Sequence, residues 1–291
     1  MTILVTGSTG TVGREVVLQL VDRGEVVRRA VTPSAATGDS DVASGSGELV
    51  LFDFTDRATY AAALDGVDRV FLMRPPPMSD VKREMRPFVE AMAQRPIRLV
   101  VFLSLMGVNP AMPHWRIERD LRAAHLPAVM LRPAFFTQNL ATAYRDDIAH
   151  HDCVRLPAGR GRTSFVDTRD VAEVAVTALA DPAAHAGRAY TLTGERAWTY
   201  DEVASMLSAE LGRAIRYQRV GFLRYRADLK GQGLPVDYVR VQLLINAIAR
   251  LGLAAKTTTT ISDVLGREPT ELPQTIHRLR EAWLPASKSD S

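Results

Sequence analysis

Gly7, Gly10 and Gly13 stand three apart, directly behind the β-branched and aliphatic run Ile3-Leu4-Val5. Glycine lets a backbone pass close to a bulky anion, because no Cβ stands in the way. Where such a turn opens a helix, free N–H groups and the positive end of the helix dipole face the same space. The chemistry that suits this spacing is the holding of a dinucleotide pyrophosphate. Gly7 would make the tight turn, Gly10 the close approach, and Gly13 the tight contact between helix and strand. A cradle of this kind establishes a ligand and leaves open whether a chemical step follows.

The elements that must hold the turn can be read around it. Ile3-Leu4-Val5 reads as a buried strand. Val12, Val16 and Leu20 recur at helical spacing, and Gly24 is placed to end that helix. Val26–Val31 reads as a second strand, which completes a mononucleotide-binding βαβ unit. Further strands are expected at Glu48–Phe52, Arg69–Met73, Leu99–Leu103 and Ala128–Leu131, with helical segments over Ala58–Leu64, Asp80–Ala93 and Trp115–Ala124 between them. This alternation predicts an α/β, Rossmann-type doubly wound parallel sheet. Residues 33–48, rich in Gly, Ser, Ala and Asp, read as a surface loop.

Further along, Val171–Leu179 and Tyr200–Leu211 read as amphipathic helices, and Ala189–Leu192 as a strand. The organisation expected is an NAD(P)-binding core over 1–150, to which 160–180 and 189–194 return. A smaller, mainly helical substrate-binding or lid lobe is expected over 195–285, and a disordered polar tail over 286–291.

Bulk properties narrow the function classes. A chain of 291 residues, 46% hydrophobic and 24% charged, is ordinary for a globular protein with one substantial core. A net charge of +3 is too small to argue for nucleic acid. No apolar stretch approaches the roughly 20 residues that cross a bilayer, and no secretory signal is visible. The expectation is a cytoplasmic monomer or homodimer acting on a small molecule, with neither membrane nor nucleic acid as partner. The single cysteine, Cys153, excludes an intrachain disulfide and reads as a buried or incidental thiol. No metal site is expected: consecutive His150-His151-Asp152 cannot converge on one ion and read as a surface turn.

The spacing GxxGxxG resembles the extended and atypical short-chain dehydrogenase/reductases, and more of the chain supports one branch. Leu51-Phe52-Asp53-Phe54-Thr55-Asp56 resembles the family's third strand, whose aspartate faces adenine. Gly66-Val67-Asp68-Arg69-Val70-Phe71-Leu72 resembles the entry into the fourth strand, and Val100–Val108 the fifth. Leu131-Arg132-Pro133-Ala134-Phe135-Phe136-Thr137-Gln138-Asn139-Leu140 is similar to LRPxxFxxNL, and Ser164–Ala172 to FVDxRDVA. In order and spacing these resemble the NmrA-like branch, from residue 1 to about residue 270. The resemblance implies cofactor contacts from Gly7, Thr9, Gly10, Thr11, Val12 and Gly13, and from Asp53, Phe54, Met73, Arg74, Leu103, Pro133 and Phe135. It also implies a likeness to actinomycete ketoreductases that tailor aromatic polyketides. The run Lys256–Thr260 and the Gly-Arg-Glu-Pro turn at 266–269 resemble the family's end segment and read as structural.

The second strand ends Arg28-Arg29-Ala30-Val31-Thr32-Pro33, without the acid that would accept bonds from a ribose 2′-hydroxyl. A guanidinium binds a 2′-phosphate in bidentate fashion. Arg28 and Arg29 are therefore candidate clamps, Thr32 a candidate donor, and NADPH (NADP+) the expected cofactor. The family often carries its arginine at the Thr32 position, where this chain departs from it.

Most relatives of this type reduce a carbonyl with a Tyr-xxx-Lys pair and a serine after the fifth strand. Ser104 stands where that serine could be, but Pro110 and His114 occupy the tyrosine and lysine positions. Ser104 and His114 remain as catalytic candidates, His114 as a substitute acid or a ribose contact. Met73, Pro75, Pro76, Pro77, Met106, Met112, Trp115, Phe135 and Phe136 form an apolar lining suited to a flat aromatic ligand. Met106, Trp115, Phe136, Asn139 and Phe222 are the candidate substrate contacts. Three readings stay open: a reductase of an aromatic or polycyclic ketone whose proton comes from substrate or water, a non-catalytic redox-sensing regulator, or a cofactor-bound isomerase or cyclase.

Overall fold

The computed structural model describes residues 1–33, 47–76, 78 and 80–284, with only the backbone of Asp237. Most of the 33–48 loop, Pro77 and the 286–291 tail lie outside the described residues. In chain order the strands are β1 (Thr2–Val5), β2 (Val26–Val31), β3 (Glu48–Leu51), β4 (Val67–Met73), β5 (Leu99–Leu103), β6 (Ala128–Pro133), β7 (Phe135–Phe136), β8 (Cys153–Leu156), β9 (Arg162–Val166), β10 (Ala189–Leu192), β11 (Ala197–Thr199) and β12 (Arg216–Arg219). The chain divides into two compact units: residues 1–133, 168–192 and 260–267, and residues 134–167, 193–259 and 268–291.

The first unit is a seven-stranded parallel sheet in the order β10-β6-β5-β4-β1-β2-β3. Its central strands are continuous apolar runs because helices cover both faces. β5 (LVVFL) is buried at every position. One face packs Leu4, Val70, Leu72, Val100 and Phe102 against Met85, Phe88, Met92, Ile117 and Leu121. On the other face lie the helices Thr11–Asp22 and Thr168–Ala180. The second of these buries Val171, Val174, Ala175 and Ala178, the i, i+3, i+4, i+7 set of one helix face.

From β1 the chain builds outward to β2 and β3, then crosses back to β4 on the opposite side. This reversal makes a switch point, and ligands bind beyond the carboxyl ends of the strands there. The turn after β1 and Met73, the last residue of β4, meet at that point.

The second unit contains a three-stranded sheet, β11-β9-β7, and a parallel pair, β12-β8. It is therefore less exclusively helical than the composition of 195–285 suggests, and it begins at residue 134 rather than near 150. The expected return of 160–180 is divided: β9 belongs to the second unit and the helix Thr168–Ala180 to the first. Ala189–Leu192 forms β10, parallel to β6. Helix Tyr200–Leu211 starts with a reciprocal capping box between Thr199 and Glu202 and ends on Gly212 in the left-handed region. A Cβ on Gly161 would stand 1.9 Å from the Ala249 carbonyl, so only glycine lets that turn meet the end of helix Val236–Arg250. The Trp283 indole is fully buried, and its N–H donates to the Leu140 carbonyl at 3.0 Å.

Cys153 is buried, and desolvation pushes its thiol above the ordinary value. Asp152 closes the preceding helix in the left-handed region and pairs with Arg213, which draws it away from His150 and His151. No helix among the described residues is long and apolar enough to cross a membrane.

A buried carboxylate ties the second unit's ends together. Asp167 accepts from Gln138 Nε2 at 2.8 Å, from Thr275 Oγ1 at 2.6 Å and from Arg278. Replacing it strands three donors at a site only 1% exposed. Asp167→Ala is expected to cost about 3–5 kcal/mol in denaturant unfolding. A loss below about 1 kcal/mol would show that these donors find water instead.

Candidate nucleotide-binding and active site

The glycine turn has the geometry its spacing implies. Gly7 sits at φ +63, where an L side chain is strained, and a Cβ there would stand 2.2 Å from Met73 Sδ. Gly10 N donates to Gly7 O at 2.9 Å, and Arg14 N to Gly10 O at 2.9 Å, so the turn runs straight into the helix. A Cβ on Gly13 would stand 2.1 Å from the Gly7 carbonyl, which puts its close contact on the turn itself rather than on a strand.

Gly10 differs from the other two. Its φ of −81 suits any residue, and an added Cβ would meet only Gly7 O, at 3.3 Å. No side chain caps this helix, so its first N–H groups, at Thr11, Val12 and Gly13, stay available for an anion. Thr9 and Thr11 are exposed on the rim, while Val12 is buried beneath it. Ser8 Oγ donates to Ala30 O at 3.0 Å, and Thr6 Oγ1 donates to Phe71 O and accepts from Met73 N. These bonds pin the turn to β2 and β4. A dinucleotide pyrophosphate fits this cradle on both steric and electrostatic grounds.

Neither candidate phosphate clamp points at it. Arg28 donates to Glu48 at 2.9 Å and to the carbonyls of Ala62 and Asp65, all near the amino-terminal ends of the strands. Arg29 is 4% exposed, and its Cδ lies 3.5 Å from the position of a Cβ on Gly47, which enters β3 level with Val27. Its side chain therefore runs away from the cradle, and its Nε and Nη1 have no hydrogen-bond partner. Thr32 lies just past β2, at the correct edge. Asp53 is held in its own turn, accepting from Thr55 N and Thr55 Oγ1, both at 2.7 Å. The Phe54 ring is buried edge-on against Phe52 and Phe88, which leaves its backbone as the part open to a ligand.

The catalytic candidates lie past β5. Ser104 Oγ donates to Glu118 Oε1 at 2.7 Å, so in this arrangement its proton is directed at a carboxylate. Glu118, with no exposed surface, also accepts from Arg132 at 3.0 and 2.5 Å and from Arg122 at 3.0 Å. Burial opposes its charge, but the bonds from Arg132, Ser104 and Arg122 prevail and hold its carboxyl below the ordinary value. Sequence reading missed Glu118. The available signal was an acid set between Ile117 and Leu121 on a buried helix face, one turn from both His114 and Arg122.

His114 begins the same helix, and its ring lies 6.2 Å from that of Phe102. Desolvation, reinforced by the charge of Arg74 and opposed by Glu118, lowers its pKa to about 4. At neutral pH it is an uncharged imidazole, which removes it as an imidazolium acid. Met106 and Trp115 are half-buried on the same segment, and Met106 N donates to Pro133 O at 2.9 Å. Leu103 closes β5 and Met73 closes β4.

Phe135, Phe136, Asn139 and Phe222 belong to the second unit. Phe135 packs edge-on against Phe165 and stacks on Tyr144. Asn139 uses its backbone carbonyl to accept from Tyr144 N at 3.0 Å. Phe222 starts a helix and lies 5.9 Å from the Arg250 guanidinium. No cluster of three His, Cys, Asp or Glu side chains able to share a metal occurs among the described residues.

Comparison with known proteins agrees with this architecture. The chain is 34% identical over 273 residues to a (4-alkanoyl-5-oxo-2,5-dihydrofuran-3-yl)methyl phosphate reductase of Streptomyces griseus, covering 91% of this chain and 93% of that one. It is 31% identical over 271 residues to an NAD(P)H azoreductase of Xenophilus azovorans, with the same coverage. Its fold superposes on an NADPH-dependent quinone oxidoreductase of Escherichia coli, solved with NADPH, at a TM-score of 0.83 and 23% identity over 96% of this chain and all of that one. The NmrA-like family profile matches residues 1–281, and the chain belongs to that family.

Proposed function

We propose that this protein is an NADPH-dependent reductase of an aromatic or polycyclic ketone, a class that extends to quinone-like acceptors. The observation that carries the reading is the pairing of an uncapped glycine cradle with two catalytic candidates that offer no free proton, His114 as a neutral imidazole and Ser104 bonded to Glu118. The reductase, azoreductase and quinone oxidoreductase activities named among its relatives support it. When bound, the cofactor supplies hydride to a conjugated carbonyl. Gly7, Gly10 and the N–H groups of Thr11, Val12 and Gly13 would hold its pyrophosphate, and the described end of β2 presents no carboxylate to repel a 2′-phosphate. The proton then comes from water, or from a phenol beside the carbonyl that already polarises it through an internal hydrogen bond.

The cradle gives a clean binding test. Gly10→Val is expected to fold, because its backbone angle and the space around it tolerate a side chain, yet to lose NADPH binding in a fluorescence titration. Retained affinity would remove the pyrophosphate from this turn. Arg29→Ala is expected to leave the ratio of NADPH to NADH affinity unchanged; a narrowed ratio would show that this side chain swings round to the 2′-phosphate.

The proton source can be read from pH. A histidine with a pKa of about 4 is protonated in roughly one molecule in a thousand at pH 7. Turnover with a polycyclic ketone is therefore expected to stay level from pH 6 to 8, and His114→Phe to keep it within about five-fold. A rate that falls with rising pH through an inflection near 6.5, lost in His114→Phe, would restore the imidazolium as the acid. NADPH that binds but is not oxidised across a broad panel of such ketones would favour a sensor, and product of unchanged oxidation state an isomerase.

A further inference from the structure

Arg74 follows β4 at the carboxyl edge of the sheet, next to Met73, whose sulfur lies under Gly7. Its Nη1 donates to the carbonyls of Pro75 and Pro76, both at 3.0 Å, and of Met78. Three carbonyls thus fix one arm of the guanidinium. Nε is buried and has no acceptor, and none is found for Nη2 among the described residues. Two part-buried arginines of this unit are neutralised directly, Arg69 by Glu25 and Arg132 by Glu118, whereas Arg29, on the side away from the cradle, shares with Arg74 buried nitrogens that have no acceptor among the described residues. Among the described residues no carboxylate lies within ion-pair distance of Arg74. It is also the charge that, after desolvation, most disfavours the His114 imidazolium. An arginine keeps its charge at neutral pH even when burial lowers its pKa. Glu84 is the carboxylate whose charge reaches it, from beyond ion-pair distance, so the switch point carries a fixed positive charge with no carboxylate bonded to it among the described residues.

We propose that Arg74 stabilises the negative charge that develops on the acceptor oxygen during reduction, in place of the absent tyrosine and lysine. This inference rests on the reductase reading above. At a ketone, hydride brings two electrons and one proton, a C–H bond forms at the carbonyl carbon and the C=O π pair moves onto oxygen. At a para-quinone hydride adds to one carbonyl oxygen, an O–H bond forms, and the charge appears on the other oxygen as the hydroquinone monoanion. The nicotinamide is left oxidised, and the oxyanion later takes a proton from water or a neighbouring phenol. A preorganised cation favours the charged transition state over the neutral carbonyl, because it needs no reorientation as the charge appears. Anchoring by the three loop carbonyls supplies that preorganisation.

The test compares Arg74→Met and Arg74→Lys in the full chain. Stopped-flow oxidation of saturating NADPH is followed with a series of para-quinones whose hydroquinones differ in acidity. Arg74→Met is expected to slow hydride transfer about 100-fold, and Arg74→Lys to recover at least about ten-fold of that. The loss should grow as the reduced acceptor becomes a weaker acid. NADPH affinity, read by fluorescence, should stay within about three-fold, and NMR titration should show the His114 pKa moving up from about 4. Weakened NADPH binding with an intact saturated rate would assign the charge to the cofactor phosphates and overturn the proposal, as would an equal loss for every quinone. Wild-type protein that binds NADPH and reduces no acceptor overturns the reductase reading and this inference together. An active wild type with Arg74→Met running at its rate overturns this inference alone.

Discussion

Everything at the ligand edge of the first unit depends on one backbone contact, the meeting of Gly13 with the Gly7 carbonyl. At 2.1 Å from that oxygen a Cβ has no place, so the helix can start only one residue past Gly10 if position 13 is glycine. The left-handed turn at Gly7 then sets its floor on Met73, and Thr6 bridges the ends of β1 and β4. A helix start, two strand ends and the Arg74 loop are brought together by contacts that leave almost no room for side-chain variation. The exception is Gly10, where an added Cβ would meet a single protein atom, the Gly7 carbonyl oxygen at 3.3 Å, which a small shift can accommodate. A glycine that the protein does not need for its own packing points to a ligand that does.

Charge in this unit follows two opposite rules. Glu118 is a fully buried carboxylate satisfied by four donors, and such a site resists change because removing any partner strands the others. Ser104 is drawn into that network, so the residue that most resembles a catalytic serine works as part of the scaffold. Arg74 follows the other rule, with its hydrogen bonds going to carbonyls and no carboxylate bonded to it among the described residues, Glu84 acting only at longer range. Uncompensated charge at a partly buried position costs stability, and that cost is usually tolerated where a ligand brings the countercharge.

Local pattern made much of this legible in the sequence. The apolar runs at β1, β4 and β5 and the helical spacing of Val12, Val16 and Leu20 are short-range signals, and the parallel sheet follows from their alternation. What sequence could not carry was the choice of partners. Arg28 and Arg29 look equivalent on paper, yet strand alternation sends them to opposite faces, one onto Glu48 and the Asp65 carbonyl, the other into the sheet beside Gly47. Nor does the sequence show that the Phe54 ring, next to Asp53, is taken up by an aromatic cluster with Phe52 and Phe88. The unit boundaries were hidden for the same reason: residues 168–192 and 260–267 return to the sheet through contacts that no local period reports.

The absence of a Tyr-xxx-Lys pair then has a physical meaning beyond a missing motif. An acid is needed when the reduced oxygen is strongly basic, because an alkoxide cannot persist at neutral pH without a proton. A phenolate or hydroquinone anion is less basic by several orders of magnitude and can wait for water. A site with a neutral imidazole, a serine whose proton is already given away and one fixed guanidinium is suited to the second kind of product, and to the first where a phenol beside the substrate carbonyl supplies the proton. On the proposed reading, the acceptors such a site suits are those whose electrons delocalise into an aromatic system.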